Sequence, residues 1–182
     1  MYNTRLLPTK NLLSVIDDRC DIKTAFEKTL NFFDPNKNKN RKTKILDCTY
    51  TYLWNENLYK RYDVTRTNNI NGYALENKYP LIIYEPPHNN TFNVSVTNAV
   101  YKFKNLLYDD GIIIVKINDF KEKGKLILKG SYDLRQIFEI NDFFLNDQII
   151  YRYNKVMDHL DLNEKVEIVH SYFMIFKKLT SV

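Results

Sequence analysis

Tyr79-Pro80-Leu81-Ile82-Ile83-Tyr84-Glu85-Pro86-Pro87-His88 is a short apolar run that stops on an acid, two prolines and an imidazole. The run has the length of a buried strand, and neither Pro86 nor Pro87 can donate to a ladder beyond it. The chain must leave the sheet there, with a carboxylate, a bared carbonyl and a ring gathered at one spot. A stiff turn of that composition suits the holding of a flat, amine-bearing ring. It is also how an ordinary proline-stopped strand reads, and these residues alone leave both readings open.

Outward from this run, apolar stretches alternate with helical periodicity. Ile22, Ala25, Phe26, Leu30 and Phe33 fall on one helical face, with Asp21 as N-cap and Pro35 closing the segment. Strands are predicted over 44–47, 58–64, 81–84 and 111–117. Between the last two, Val96, Val100, Phe103, Leu106 and Leu107 mark a helix ended by Asp109-Asp110-Gly111. A helix over 134–141 and strands over 148–153 and 171–177 follow. Continuous β-branched runs separated by helices predict a doubly wound, mostly parallel α/β sheet covered on both faces. The two closing strands predict an antiparallel pair at one edge. Residues 1–21 read as an N-terminal extension and 22–182 as one domain.

The bulk properties narrow the partners. A chain of 182 residues with 44% hydrophobics can bury a sizeable core. The net charge of +5 and pI near 9.0 favour acidic partners such as nucleic acid, although such an excess also occurs on proteins that bind nothing anionic. Residues 36–42 form a polar, basic loop in which Lys39, Arg41 and Lys42 either contact phosphates or belong to a solvated linker. Cys20 and Cys48 make no disulfide framework, and a reduced chain is the simpler reading. His88, His159 and His170 are scattered, so no metal is expected. No apolar stretch approaches the ~20 residues that span a bilayer. These features predict an intracellular protein of the cytoplasm or nucleus, or of a host cytoplasm if the source is viral.

In an open α/β sheet, ligands bind beyond the carboxyl ends of the strands where strand order reverses. Three polar groups are expected at such ends: Asp47-Cys48-Thr49-Tyr50, Asp63, and Glu85 to His88. Each aspartate alone reads equally well as a capping or turn residue.

These stretches resemble the class I S-adenosylmethionine-dependent methyltransferases with a Rossmann-like sheet, and among them the phage and archaeal type that methylates exocyclic amines of DNA bases. Ile45-Leu46-Asp47-Cys48-Thr49-Tyr50 is similar to the start of the cofactor motif, and Glu85-Pro86-Pro87-His88 to the catalytic DPPY motif in its DPPH variant. Leu106 to Lys116 resembles the fifth strand of that fold, and 147–152 and 170–177 its last two. The resemblance implies that S-adenosylmethionine is the cofactor, with Asp47, Thr49 and Tyr50 at its amino-acid end and Asp63 on its ribose. It further implies that Glu85 and the Pro86 carbonyl accept the two N–H groups of a flipped adenine or cytosine amine. His88, or Tyr84 behind it, then stacks on the base.

Two departures stand against these matches. Thr51-Tyr52-Leu53-Trp54 occupies the place of the family's glycines, and no glycine precedes Gly72. Glycines there allow close approach to the cofactor, so their absence predicts weak or absent S-adenosylmethionine binding. Glu85 also replaces the usual aspartate. Two alternatives therefore stand beside the amine N-methyltransferase. One is a catalytically inactive subunit that binds DNA or RNA, or activates a protein partner, through basic loops that include Lys121, Lys123 and Lys125. The other is a ribose 2′-O-methyltransferase in which Lys28, Glu85 and Lys116 imitate a Lys-Asp-Lys set.

Overall fold

The structure is a computed structural model that describes residues 13–16, 21–37, 39, 41–51, 53–74, 76–87, 92–122, 125–127, 132–152 and 166–179. The elements run β1 (Leu13–Ile16), α1 (Ile22–Phe33), β2 (Thr43–Cys48), α2 (Glu56–Arg61), β3 (Tyr62–Arg66) and a 3-10 turn (Ile70–Gly72). They continue with β4 (Tyr79–Tyr84), α3 (Phe92–Leu106), β5 (Leu107–Glu122), β6 (Lys125–Ile127), α4 (Leu134–Ile140), β7 (Phe143–Arg152) and β8 (Val166–Lys178).

The strands lie side by side in the order β1-β7-β8-β5-β4-β2-β3, with β6 paired to β5. β3, β2, β4 and β5 run parallel, whereas β8 is antiparallel to both β5 and β7. The expected α/β sheet with a late antiparallel pair is present. That pair is not the outermost one, because β1 adds to β7 in parallel at the flank. β1 thus gives part of the N-terminal extension a place in the sheet.

Alternation along the strands sends side chains to two cores. Leu46, Ile82, Tyr84, Ile113, Val115, Met174 and Phe176 pack on the α3 and α4 side against Val96, Val100, Phe103 and Phe138. Ile45, Leu81, Ile83, Ile114, Phe173 and Ile175 pack on the other face against Phe26, Leu30, Trp54 and Leu58. Burial on both faces is why β2 and β4 read as unbroken apolar runs rather than alternating ones.

Two local expectations are corrected. Residues 58–64 do not form a strand: Asn55 Oδ1 accepts the Leu58 N–H at 2.9 Å and starts α2, so β3 begins only at Tyr62. Leu58 and Tyr62 are both buried at an i, i+4 spacing, the helical repeat that a short alternating pattern conceals. Nor does Gly111 end a helix. α3 stops at Leu106, and the β4–β5 register jumps from Tyr79↔Leu107 to Leu81↔Ile112, which makes residues 108–111 a bulge. A Cβ at Gly111 would lie 2.8 Å from Leu107 side-chain atoms and 3.0 Å from the Tyr108 carbonyl oxygen, so only glycine closes that bulge without displacement.

Candidate active site

β2 and β4 are neighbours, and the chain departs from β2 to β3 on one side while β4 and β5 lie on the other. The crevice at the carboxyl ends of β2 and β4 is therefore the switch point of the sheet. Cys48 pairs with Tyr84, and just beyond them the Glu85 N–H donates to the Cys48 carbonyl at 3.3 Å. Asp47 and Glu85 thus come to the same edge, as expected.

Both carboxylates are buried and fully engaged. Glu85 Oε2 accepts the backbone N–H of Tyr50 at 3.1 Å and of Thr51 at 2.7 Å. Its Oε1 accepts the Thr51 hydroxyl at 2.7 Å and forms an ion pair with Lys116 Nζ. Lys116 follows Val115, the β5 partner of Tyr84, and so arrives level with Glu85. It is 4% exposed, so it is not a strand-end charge reaching solvent. Burial pushes the Glu85 carboxyl up, but the Lys116 charge, with hydrogen bonds from Lys116 and Thr51, outweighs it and holds the group below the ordinary glutamate value.

Asp47 has the opposite balance. Its Oδ1 accepts the Thr49 N–H at 3.0 Å and the Thr49 hydroxyl at 2.8 Å. Its Oδ2 accepts the indole N–H of Trp54 at 2.8 Å and lies 3.4 Å from Arg66 Nε. Burial still dominates these contacts and the Arg66 charge, and it raises the Asp47 carboxyl above the ordinary aspartate value. Trp54 is 1% exposed; its ring packs edge-on with Phe26 at 5.4 Å between centroids and lies tilted against Tyr59 at 5.6 Å. It is a core residue whose indole N–H also occupies Asp47. The bond from Trp54 to Asp47 has no local signal in the sequence.

The other expected residues divide between the two ends of the sheet. Thr49 is buried beneath the loop, while Tyr50 is 59% exposed. Tyr50 and Thr51 line a depression of about 310 Å³ together with Glu85, Pro86 and Pro87. Tyr84 does not face this depression; it packs edge-on against Phe103 in the core at 5.1 Å, which removes it as a stacking partner for a base. His88 lies outside the described residues. Asp63 is not at this edge at all. It pairs with Lys44, three positions before the Asp47–Arg66 pair, or about 10 Å back along the strand at ~3.3 Å per residue. The later start of β3 causes that displacement. Lys39, Arg41 and Lys42 stand before β2, at the opposite, amino edge of the sheet. Lys28 is exposed on α1, whereas Glu85 and Lys116 are buried together. Lys123 lies outside the described residues. Among the described residues no group of three or more His, Cys, Asp or Glu could hold a metal ion, and no helix is long and apolar enough to cross a membrane.

No protein-family model matches the chain, and no curated protein matches it. Solved structures do. The 1,6-didemethyltoxoflavin-N1-methyltransferase of Burkholderia thailandensis, with bound 1,6-didemethyltoxoflavin and S-adenosylhomocysteine, is 11% identical, with a TM-score of 0.54 over 87% of this chain and 80% of that one. A SAM-dependent methyltransferase of Leishmania major is 12% identical, with a TM-score of 0.52 over 84% and 71% of the two chains. TrmN from Thermus thermophilus is 12% identical at a TM-score of 0.46 over 86% of this chain, which spans only 49% of its length. The chain has the fold of the SAM-dependent methyltransferases.

The residues at the switch point do not fit S-adenosylmethionine as they are arranged. The acid assigned to the cofactor's amino-acid end already has four contacts within the chain, one of them from the indole N–H of the buried Trp54. Thr51, standing where a glycine is expected, is tied to Glu85 through both its N–H and its hydroxyl.

Proposed function

We propose that this chain is a methyltransferase directed at an exocyclic amine of a nucleic-acid base, adenine or cytosine, with the acceptor Glu85 held by Tyr50 and Thr51 in the described conformation. The observation that carries this reading is the position of Glu85-Pro86-Pro87. The turn leaves the carboxyl end of β4 at the switch point and walls a depression of about 310 Å³ open to solvent. Glu85 is the acceptor for the amine, and Lys116 keeps its carboxylate charged in a buried setting. Asp47, Thr49 and Tyr50 are the cofactor-side residues only once the loop has moved.

Opening requires the Tyr50 and Thr51 N–H groups to release Glu85 and Trp54 to leave Asp47. Exposing an indole that buries 150–250 Å² costs roughly 4–6 kcal/mol at about 25 cal/mol/Å². A bound nucleic acid or a partner subunit is the source of that free energy in this reading. The test is transfer of labelled methyl groups from S-adenosylmethionine to DNA and to RNA, by the wild type and by Glu85→Asp, which restores the residue usual in the motif. Incorporation by either supports the reading, and none by either, with or without nucleic acid in excess, removes it.

A second reading rests on a specific observation, the saturation of both switch-point acids by the chain itself. A methyltransferase-fold domain closed in this way serves as a nucleic-acid-binding or partner-activating subunit. Normal nucleic-acid binding without cofactor binding or methyl transfer would select it.

A further inference from the structure

At the amino edge of the sheet, on the far side from Glu85, a cleft of about 430 Å³ is lined by Lys39, Arg41, Lys42, Lys44, Tyr108 and Asp110, among others. We propose that this cleft binds a single-stranded nucleic-acid segment, with phosphates on the four cations and a base on Tyr108. The proposal stands apart from methyl transfer, since Pro80 in the cleft and Glu85 at the other edge are five residues apart on β4, about 17 Å at ~3.3 Å per residue.

Three features carry it. First, four cations face a single acid, Asp110, and none of the four is ion-paired among the described residues. Lys104, Lys116 and Lys178, by contrast, each have a carboxylate. Unpaired like charges around one concavity repel one another unless an anion lies between them. Second, Arg41 is anchored. Asp34 accepts the Asn36 N–H at 2.9 Å and the Thr43 hydroxyl, and the buried Asn36 accepts Arg41 Nε at 3.1 Å. The guanidinium is oriented by that one bond, and its two terminal nitrogens remain for a phosphate. Third, the β5 bulge at 108–111 presents Tyr108 to the cleft with 47% of its surface exposed. A tyrosine beside phosphate-binding cations is the pairing by which unpaired strands are held, because any base offers a face to stack.

The experiment is fluorescence anisotropy of a labelled oligothymidylate with the full chain across a salt series. Contacts to four phosphates predict a slope of log K against log salt of about −2.8, at about −0.7 for each on a single strand. The combined variant Lys39→Ala, Arg41→Ala, Lys42→Ala and Lys44→Ala should flatten that slope and lose most of the affinity. Tyr108→Ala should weaken binding roughly fivefold to a hundredfold while leaving the slope unchanged. All five side chains lie on the surface, and circular dichroism melting confirms that the variants fold. Wild-type affinity and slope in the combined variant would overturn the cleft, and unchanged binding by Tyr108→Ala would overturn a base-stacked strand. Failure of methyl transfer leaves both readouts intact, so the two proposals fail separately.

Discussion

Replacing Glu85 by glutamine keeps the side chain's shape and removes its charge. Lys116 is then left at the same depth with no counter-ion, since the two side chains are only 6% and 5% exposed. Breaking a buried ion pair from one side costs about 3–5 kcal/mol, whereas replacing both members with apolar groups is often neutral. The amide also turns an NH₂ toward donors, either the Lys116 ammonium or the Tyr50 and Thr51 N–H groups, so at least one contact becomes repulsive. Glu85→Gln should therefore destabilise the fold by about 3–5 kcal/mol, a drop of roughly 6–20 °C in Tm for a domain near this size. Glu85→Gln with Lys116→Met should recover most of the loss. The assay is urea denaturation followed by circular dichroism on both single variants and the double variant, closed as a thermodynamic cycle. A loss below about 1 kcal/mol for Glu85→Gln, or simple additivity in the double variant, would refute the coupling of Glu85 and Lys116 as a buried ion pair.

The same pair fixes a pH dependence. The Glu85 carboxyl titrates lower in the folded chain than in the unfolded one, so its stabilisation is complete above the ordinary glutamate value of 4.5 and fades as pH falls through the lowered folded value. The stability gap between wild type and Glu85→Gln, measured at a series of pH values, should narrow on acidification; a constant gap would contradict it. Asp47 works in the other direction, because its raised carboxyl makes ionisation above 3.8 unfavourable to the folded state. Asp47→Asn should accordingly cost less at neutral pH than Glu85→Gln, as denaturation midpoints would reveal. For the cofactor, calorimetric titration of the wild type should give binding weaker than micromolar, and Thr51→Gly with Trp54→Ala should bind more tightly if the space over Asp47 is what excludes the ligand. Gly111→Ala should lower stability by about 1–3 kcal/mol, because its Cβ meets Leu107 and the Tyr108 carbonyl. An unchanged melting temperature would show that the bulge yields freely.

Elements with an unambiguous local period are legible in the sequence. The spacing of Ala25, Phe26 and Leu30 gives α1, the apolar runs give β2 and β4, and the Pro-Pro turn marks the end of β4 at the switch point. The departures arise where non-local partners decide. Residues 58–64 carry a pattern compatible with either period, and the Asn55 cap selects the helix, which moves Asp63 away from the edge. β5 extends over its polar stretch to Glu122 because β8 supplies a long partner. The partners of Glu85 lie 31 to 35 residues away, and no pattern within a single element announces that its carboxylate is already occupied. The lack of glycines in the loop after β2 is legible in the sequence, whereas the bond from Trp54 to Asp47 is not.

That single indole gives the chain a built-in optical reporter. Trp54 is the only tryptophan in the sequence, and it is buried, ring-packed and hydrogen-bonded to the acid at the heart of the switch point. Its emission therefore reads the state of one loop rather than an average over many sites. While the loop is closed the emission is that of a shielded ring beside a carboxylate, and departure from Asp47 moves it toward the red and opens it to aqueous quenchers. Any ligand, strand or subunit that opens the site can thus be found by titration into the unlabelled protein, without knowing its chemistry beforehand.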